Sequence, residues 1–180
     1  MKTLLVPVAA LIVSLSGCTH SPSPSSDSGK TRLDGDVSNT LADFTSKDSG
    51  FQAMLDSAAG YAVFPEIGKG GAIVGGSYGH GEAFENKAMI GYCDITQGTI
   101  GAQLGGQTFS EVIVFRDARA LSRFKSGEFT FAANATAVAI KQGAASSPMY
   151  ADGAAAFIRV KGGLMAEAAI GGQQLRFTPK

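Results

Sequence analysis

The chain has no tryptophan, two histidines and two cysteines among its 180 residues, and each scarcity closes off a class of function. Protein metal centres gather His and Cys side chains at short, defined spacings. Here the candidates are His20, His80, Cys18 and Cys93, with no such cluster, so neither a metal nor a cofactor is expected. Lys and Arg number 15 against 15 Asp and Glu. Without the basic excess of a nucleic-acid binder, nucleic acid is not an expected partner. A phosphate-cradling Walker loop requires GxxxxGK[ST]; Gly29-Lys30-Thr31 has Pro24 where the motif needs its first glycine, and Gly68-Lys69 is followed by Gly70. Gly68-Lys69-Gly70 places Ile73 where a GxGxxG motif needs its third glycine. The lack of tryptophan and the 8% aromatic content also argue against an outer-membrane barrel, whose interfaces carry aromatic girdles. One domain histidine and one domain thiol leave a Cys–His pair without a third group, and Glu82 and Glu85 read as hairpin residues. No catalytic residue is expected, and the chain is read as non-enzymatic.

The N-terminus is informative. Met1-Lys2 precedes an almost continuous apolar run from Leu4 to Val13, too short to span a bilayer and typical of a signal peptide. It ends in Leu15-Ser16-Gly17-Cys18, which looks like a bacterial lipobox. The expected processing removes residues 1–17 and leaves Cys18 carrying a diacylglycerol and an acylated, palmitate-type amine. Each buried CH₂ contributes about 0.8 kcal/mol, so several chains together hold a protein firmly to a membrane without spanning it. Ordinary secretion, with Cys18 a free thiol, is the alternative. Thr19 follows where an inner-membrane retention signal would place Asp. The expectation is a lipid-anchored protein of the cell envelope, on the outer membrane if the host is Gram-negative. Lipidation of Cys18 leaves Cys93 without an intramolecular partner. The setting Met89-Ile90-Gly91-Tyr92-Cys93 predicts that it is buried and inert.

Residues 18–35 comprise the cysteine and THSPSPSSDSGKTRLDG, too poor in apolar residues to pack, and read as a disordered tether. The folded domain is expected to span 36–180. Val37, Leu41 and Phe44, then Phe51, Met54, Leu55 and Ala58, follow helical spacing, with Gly60 as a stop. Beyond Gly60 the period shortens to two. Tyr61–Phe64 runs into Pro65, an edge or strand-end residue. Ile100, Ala102 and Leu104 alternate, as do Leu164, Ala166, Ala168 and Ile170, while Val112–Phe115 is apolar throughout, as in a strand buried on both faces. Asp117 can cap a helix through Phe124, with Gly127 beyond its end.

Twenty of the 24 glycines fall within residues 60–172, paired at 70–71, 75–76, 105–106, 162–163 and 171–172. Glycine in strand patterns marks bends, bulges and close backbone approach. The expected fold is α+β and β-dominated: a strongly bent or closed, barrel-like antiparallel sheet with a few short amphipathic helices, two of them N-terminal.

Two basic features stand out. Lys69-Gly70-Gly71 and Lys161-Gly162-Gly163 match, and a lysine beside glycine-rich backbone can offer a charge and several N–H groups to an anion. Arg116, Arg119 and Arg123 share one face of the helix after Asp117, with Lys125 nearby. Solvated surface residues are the plain alternative for both.

The stretches AAGYAVFPEIGKGGAIVGGSYGHGEAF, IGAQLGGQTFSEVIVF, FKSGEFTF and KGGLMAEAAIGG resemble the SYLF domain family over roughly Val37 to Phe177. The resemblance implies a lipid-binding module, best known for phosphoinositides, with actin binding in some eukaryotic members. Lys69 and Lys161 fall where the family's lysine–glycine motifs lie. Ile140-Lys141-Gln142-Gly143-Ala144 replaces the Gly-Pro-x-Gly-Arg turn of many members. The function expected is binding of anionic lipid headgroups through Lys69, Lys161, Arg119 and Arg123, with Arg116 and Lys125 beside them. The rival is a structural protein that docks an envelope or host protein partner.

Overall fold

The computed structural model describes residues 26–127, 129–131 and 137–180, with the side chains of 101–103, 130–131 and 164–171 outside the description. The signal peptide and residues 18–25 of the expected tether, with Cys18 and His20, lie outside the described residues. In chain order the elements are α1 (Asp27–Lys47), α2 (Phe51–Ser57), β1 (Gly60–Glu85), β2 (Ala88–Phe115), α3 (Ala118–Lys125), β3 (Thr130–Phe131), β4 (Ala137–Ala139), a 3₁₀ turn (Ala144–Ser146) and β5 (Ala154–Pro179).

Three very long strands dominate. β1, β2 and β5 run antiparallel in register along almost their whole lengths, in the order β1-β2-β5. A two-residue turn at positive φ, Asn86-Lys87, joins β1 to β2, and a second, Asp152-Gly153, links Ala151 to the start of β5. Such turns match the twist of the flanking strands. The short alternating stretches of the sequence are segments of these three strands. Pro65 does not end β1. It falls at a register shift between Phe64 and Ile67 on an edge strand, where a missing N–H is tolerated.

The glycines fold the sheet over on itself. They form two rows across the three strands. In one, Gly70 and Gly71 face Gly106 and Gly105, while Gln107 and Thr108 face Gly163 and Gly162; in the other, Gly76 faces Gly98, which faces Gly172. Between the rows the strands reverse direction, so each has two arms. A methyl group on Gly79 would lie 2.7 Å from the Glu66 carbonyl oxygen, and one on Gly60 would lie 2.6 Å from that of Phe84. Residues far apart on one strand thus meet face to face, and glycine is what allows the approach.

The space between the arms is the main core. Ala62, Phe64, Ile67, Phe109 and Ile113 of one arm meet Ala83, Cys93, Ile95 and Leu175 of the other. Helix α3 closes the open end with Leu121 and Phe124, the latter stacked on Phe115 at 4.8 Å and 5.5 Å from Phe177. A second core lies on the outer face of the first arm, where Val37 and Phe44 of α1 and Phe51 and Leu55 of α2 cover Val63, Val112, Val114 and Phe157. Alternation places Val112 and Val114 on this face and Ile113 and Phe115 on the other, which explains the continuous apolar run.

Three expectations need correction. The sheet is strongly bent but not closed: among the described strands β1 pairs only with β2, and β3 and β4 both lie beside β5. Nor is it purely antiparallel, because β4 runs parallel to β5. Helix α1 also begins at Asp27, nine residues before the expected domain start at Asp36. Ser26 caps it by accepting from the Gly29 N–H at 3.1 Å, Leu33 packs against the outer core, and Asp34 reaches Glu82. Tertiary contacts therefore hold a helix that residues 27–35 would not form alone.

Candidate functional site

The basic residues singled out in the sequence fall into two groups at opposite ends of the folded sheet. About twelve strand residues separate the open end from the fold-over, roughly 40 Å at 3.3 Å per residue.

At the open end, Arg116, Arg119 and Arg123 line one groove of about 250 Å³ with Asp117, Ala120, Asp152 and Gly153. Its shape follows from local chemistry. Asp117 caps α3 by accepting from the Ala120 N–H at 3.0 Å, which fixes the start of the helix beside Arg116. That hydrogen bond, with the Arg116 charge, also lowers the Asp117 pKa. The Asp152-Gly153 turn forms the opposite wall. It packs so tightly that a methyl on Gly153 would lie 2.9 Å from Ala120 Cβ. Arg116 lies over the Tyr150 ring at 5.2 Å and 3.6 Å from Asp117. Arg123 lies over Phe129 at 5.5 Å and 3.9 Å from Asp152. Both carboxylate distances exceed hydrogen-bond length, so these guanidiniums keep donors to offer. The exposed Arg119 side chain has no hydrogen-bond or ion-pair partner among the described residues. Lys125 points away and pairs with Glu85 at 3.0 Å. With three guanidiniums against two carboxylates, the groove carries an excess positive charge suited to a small oxyanion.

At the other end, Lys69 and Lys161 reach the same level of the sheet on either side of β2, each where its strand enters the fold-over. They differ in surroundings. Lys161 occupies the extra position of a register shift opposite Thr108 and Phe109 and is exposed. Lys69 is half-buried on the inner face, close enough to Glu111 to oppose the rise in its pKa. The two lysine–glycine motifs thus reach the same level of the sheet but differ in backbone register and in side-chain burial.

A buried polar layer separates the apolar core from the fold-over, and nothing in the residue pattern marks it. Glu111 on one arm accepts from Gln173 Nε2 on the other at 3.0 Å, and Ser77 donates to Gln97 at 3.1 Å. Glu111 is fully buried, and burial pushes its pKa up to about 7. Glu82, also buried, is pushed up to about 7 by burial and by the neighbouring Asp34. Glu111 Oε1, Gln173 Oε1 and Glu82 Oε1 have no hydrogen-bond partner among the described residues. Glu111 comes from a stretch that reads as a strand, where nothing marks a partner on the opposite arm, and Glu82 from one that reads as a hairpin, where nothing marks Asp34 of α1.

A further polar cluster surrounds His80. His80 Nδ1 lies 2.6 Å from Asp94 Oδ1, with the Tyr78 hydroxyl 3.4 Å from the same nitrogen. Cys93 neighbours Asp94 but faces the opposite side of the sheet, buried, and burial raises its thiol pKa well above the ordinary value. The Cys93–His80 pair is therefore not formed. Among the described residues no group of three His, Cys, Asp or Glu side chains could hold a metal, and no helix is long and apolar enough to cross a membrane. No protein-family model matches the chain, and no curated protein matches it.

Proposed function

We propose that this is a lipid-anchored, non-catalytic protein of the cell envelope whose SYLF-like domain binds anionic lipid headgroups in the arginine groove. The observation that carries the proposal is the convergence of Arg116, Arg119 and Arg123 on one open groove, with Arg119 unpaired among the described residues. A phosphate presents several acceptor oxygens, and guanidinium forks match them. The lipobox-like Leu15-Ser16-Gly17-Cys18 supports residence at a membrane, most simply the outer membrane. The resemblance to the SYLF family supports lipid as the ligand and phosphoinositide-like phosphates as the headgroup chemistry.

The test is a vesicle panel with the chain lacking its first 18 residues, graded in anionic lipid at low and high salt. Binding that rises with anionic fraction and falls with salt supports headgroup recognition. Indifference to both returns the domain to the docking of a protein partner.

A further inference from the structure

Where the three long strands fold over, large apolar side chains stand in solvent. Ile73, Val74, Ile100 and Leu104 are 73%, 65%, 71% and 72% exposed. The register sets Val74 opposite Ile100 and Ala72 opposite Leu104, so they form one patch. Isolated apolar residues on a surface are ordinary, whereas a contiguous patch marks an interaction site. Ile73 adds a second observation. Its φ is 67°, a region where a β-branched residue is strained. Strain and exposure both disfavour isoleucine here, and among the described residues Ile73 belongs to no buried cluster that would offset either. Such outliers gather where a surface has work to do.

The charge around the patch limits what can cover it. Residues 67–81 and 95–110 contain no Asp or Glu, and 160–175 contain only Glu167. Lys161 stands exposed at the rim. An apolar crown with a lysine at its rim fits a bilayer, which offers hydrocarbon to the crown and phosphates to the lysine. A second copy docked symmetrically would bring two such lysine rims together.

We infer that the fold-over is a membrane-inserting tip, which places Ile73, Val74, Ile100 and Leu104 in the boundary between headgroups and acyl chains. Insertion is shallow. Free sheet edges are not tolerated in hydrocarbon, so side chains enter while the backbone stays at headgroup depth. The inference rests on the proposed function only for membrane residence. It is independent of the arginine groove, which lies at the far end of the sheet.

The experiment uses the mature lipidated protein in vesicles, with an environment-sensitive fluorophore on Leu104→Cys and, as a control, on Lys47→Cys. Cys93 is buried and does not compete for label. In neutral phosphatidylcholine vesicles the probe at 104 should shift to the blue and be quenched by nitroxides on the acyl chains, while that at 47 should not. Equal aqueous behaviour of the two probes overturns the inference. So does a response at 104 that follows protein concentration at fixed lipid, which marks self-association. Failure of the headgroup reading alone would appear differently, as quenching at 104 in neutral vesicles with no response to added phosphatidylglycerol. A second variant, Ile73→Gly, removes the side chain and relieves the strain. Melting at or above that of the parent, with reduced quenching at 104, is expected. A lower melting temperature with unchanged quenching assigns Ile73 a packing role and contradicts insertion.

Discussion

Glu111 of β2 and Gln173 of β5 lie on opposite arms of the folded sheet and meet in its interior at 3.0 Å. Both are buried, and each has one side-chain oxygen without a partner among the described residues. A carboxylate in such a place is held against the desolvation cost of its charge, so the neutral form is favoured.

The pH dependence follows. Burial raises the Glu111 pKa from 4.5 to about 7, and Glu82 behaves alike. Between these values the folded chain binds more protons than the unfolded one, so stability falls as pH rises from about 4.5 to about 7 and then levels off. Glu111→Gln removes the penalty and supplies a donor to a layer with spare acceptors. It should leave urea stability nearly unchanged at pH 4.5 and raise it by about 2–3 kcal/mol at pH 8. Equal stabilisation at both pH values would show that ionisation is not the cause.

The close approach of the two arms makes the glycines unequal. A methyl on Gly79 meets Ile67 Cγ1 at 2.8 Å and the Glu66 carbonyl at 2.7 Å, whereas one on Gly98 meets nothing within 4 Å. Gly79→Ala should therefore destabilise the domain by about 1–3 kcal/mol or more, as overpacking does. Gly98→Ala should be neutral or slightly stabilising, because it restricts the unfolded chain. Thermal melts of the two variants decide it, and similar losses in both would argue against the folded-over sheet.

The N-terminal boundary is testable by limited proteolysis. With α1 starting at Asp27 and Gly29 buried, cleavage should stop short of residue 27 in the native chain. Cleavage throughout 27–35 would instead return this segment to the tether.

These outcomes bear on what the residues disclosed. Period-two alternation and paired glycines announced a bent sheet, and Asp117 with Gly127 bracketed α3. Three long strands could not be distinguished from many short ones, because a glycine pair that folds a strand over resembles one that ends it. The start of α1 escaped notice because Ser, Gly and Asp have poor helix propensity, and the packing of Leu33 and the Asp34–Glu82 contact are non-local. The arginines were legible as a helical face. The opposite wall of their groove was not, although the Asp152-Gly153 dipeptide is a hairpin-turn signal. Exposure of Ile73 and Leu104 ran against the pattern, since alternation alone reads them as core.

Anchoring is tested by Cys18→Ser. The variant should remain unprocessed or soluble and leave the detergent phase on partitioning, while the parent stays in it. Identical partitioning would contradict lipidation.

The arginine groove is tested most directly by vesicle binding of the Arg119→Ala/Arg123→Ala variant of the chain lacking its first 18 residues. A basic side chain near an anionic surface contributes about 1 kcal/mol, so loss of two should weaken binding by about 2 kcal/mol, roughly thirtyfold. The difference should shrink at high salt, and melting should stay close to the parent value because Arg119 is exposed and Arg123 has only long-range partners. Parent-like binding by a well-folded double variant would contradict headgroup recognition in this groove.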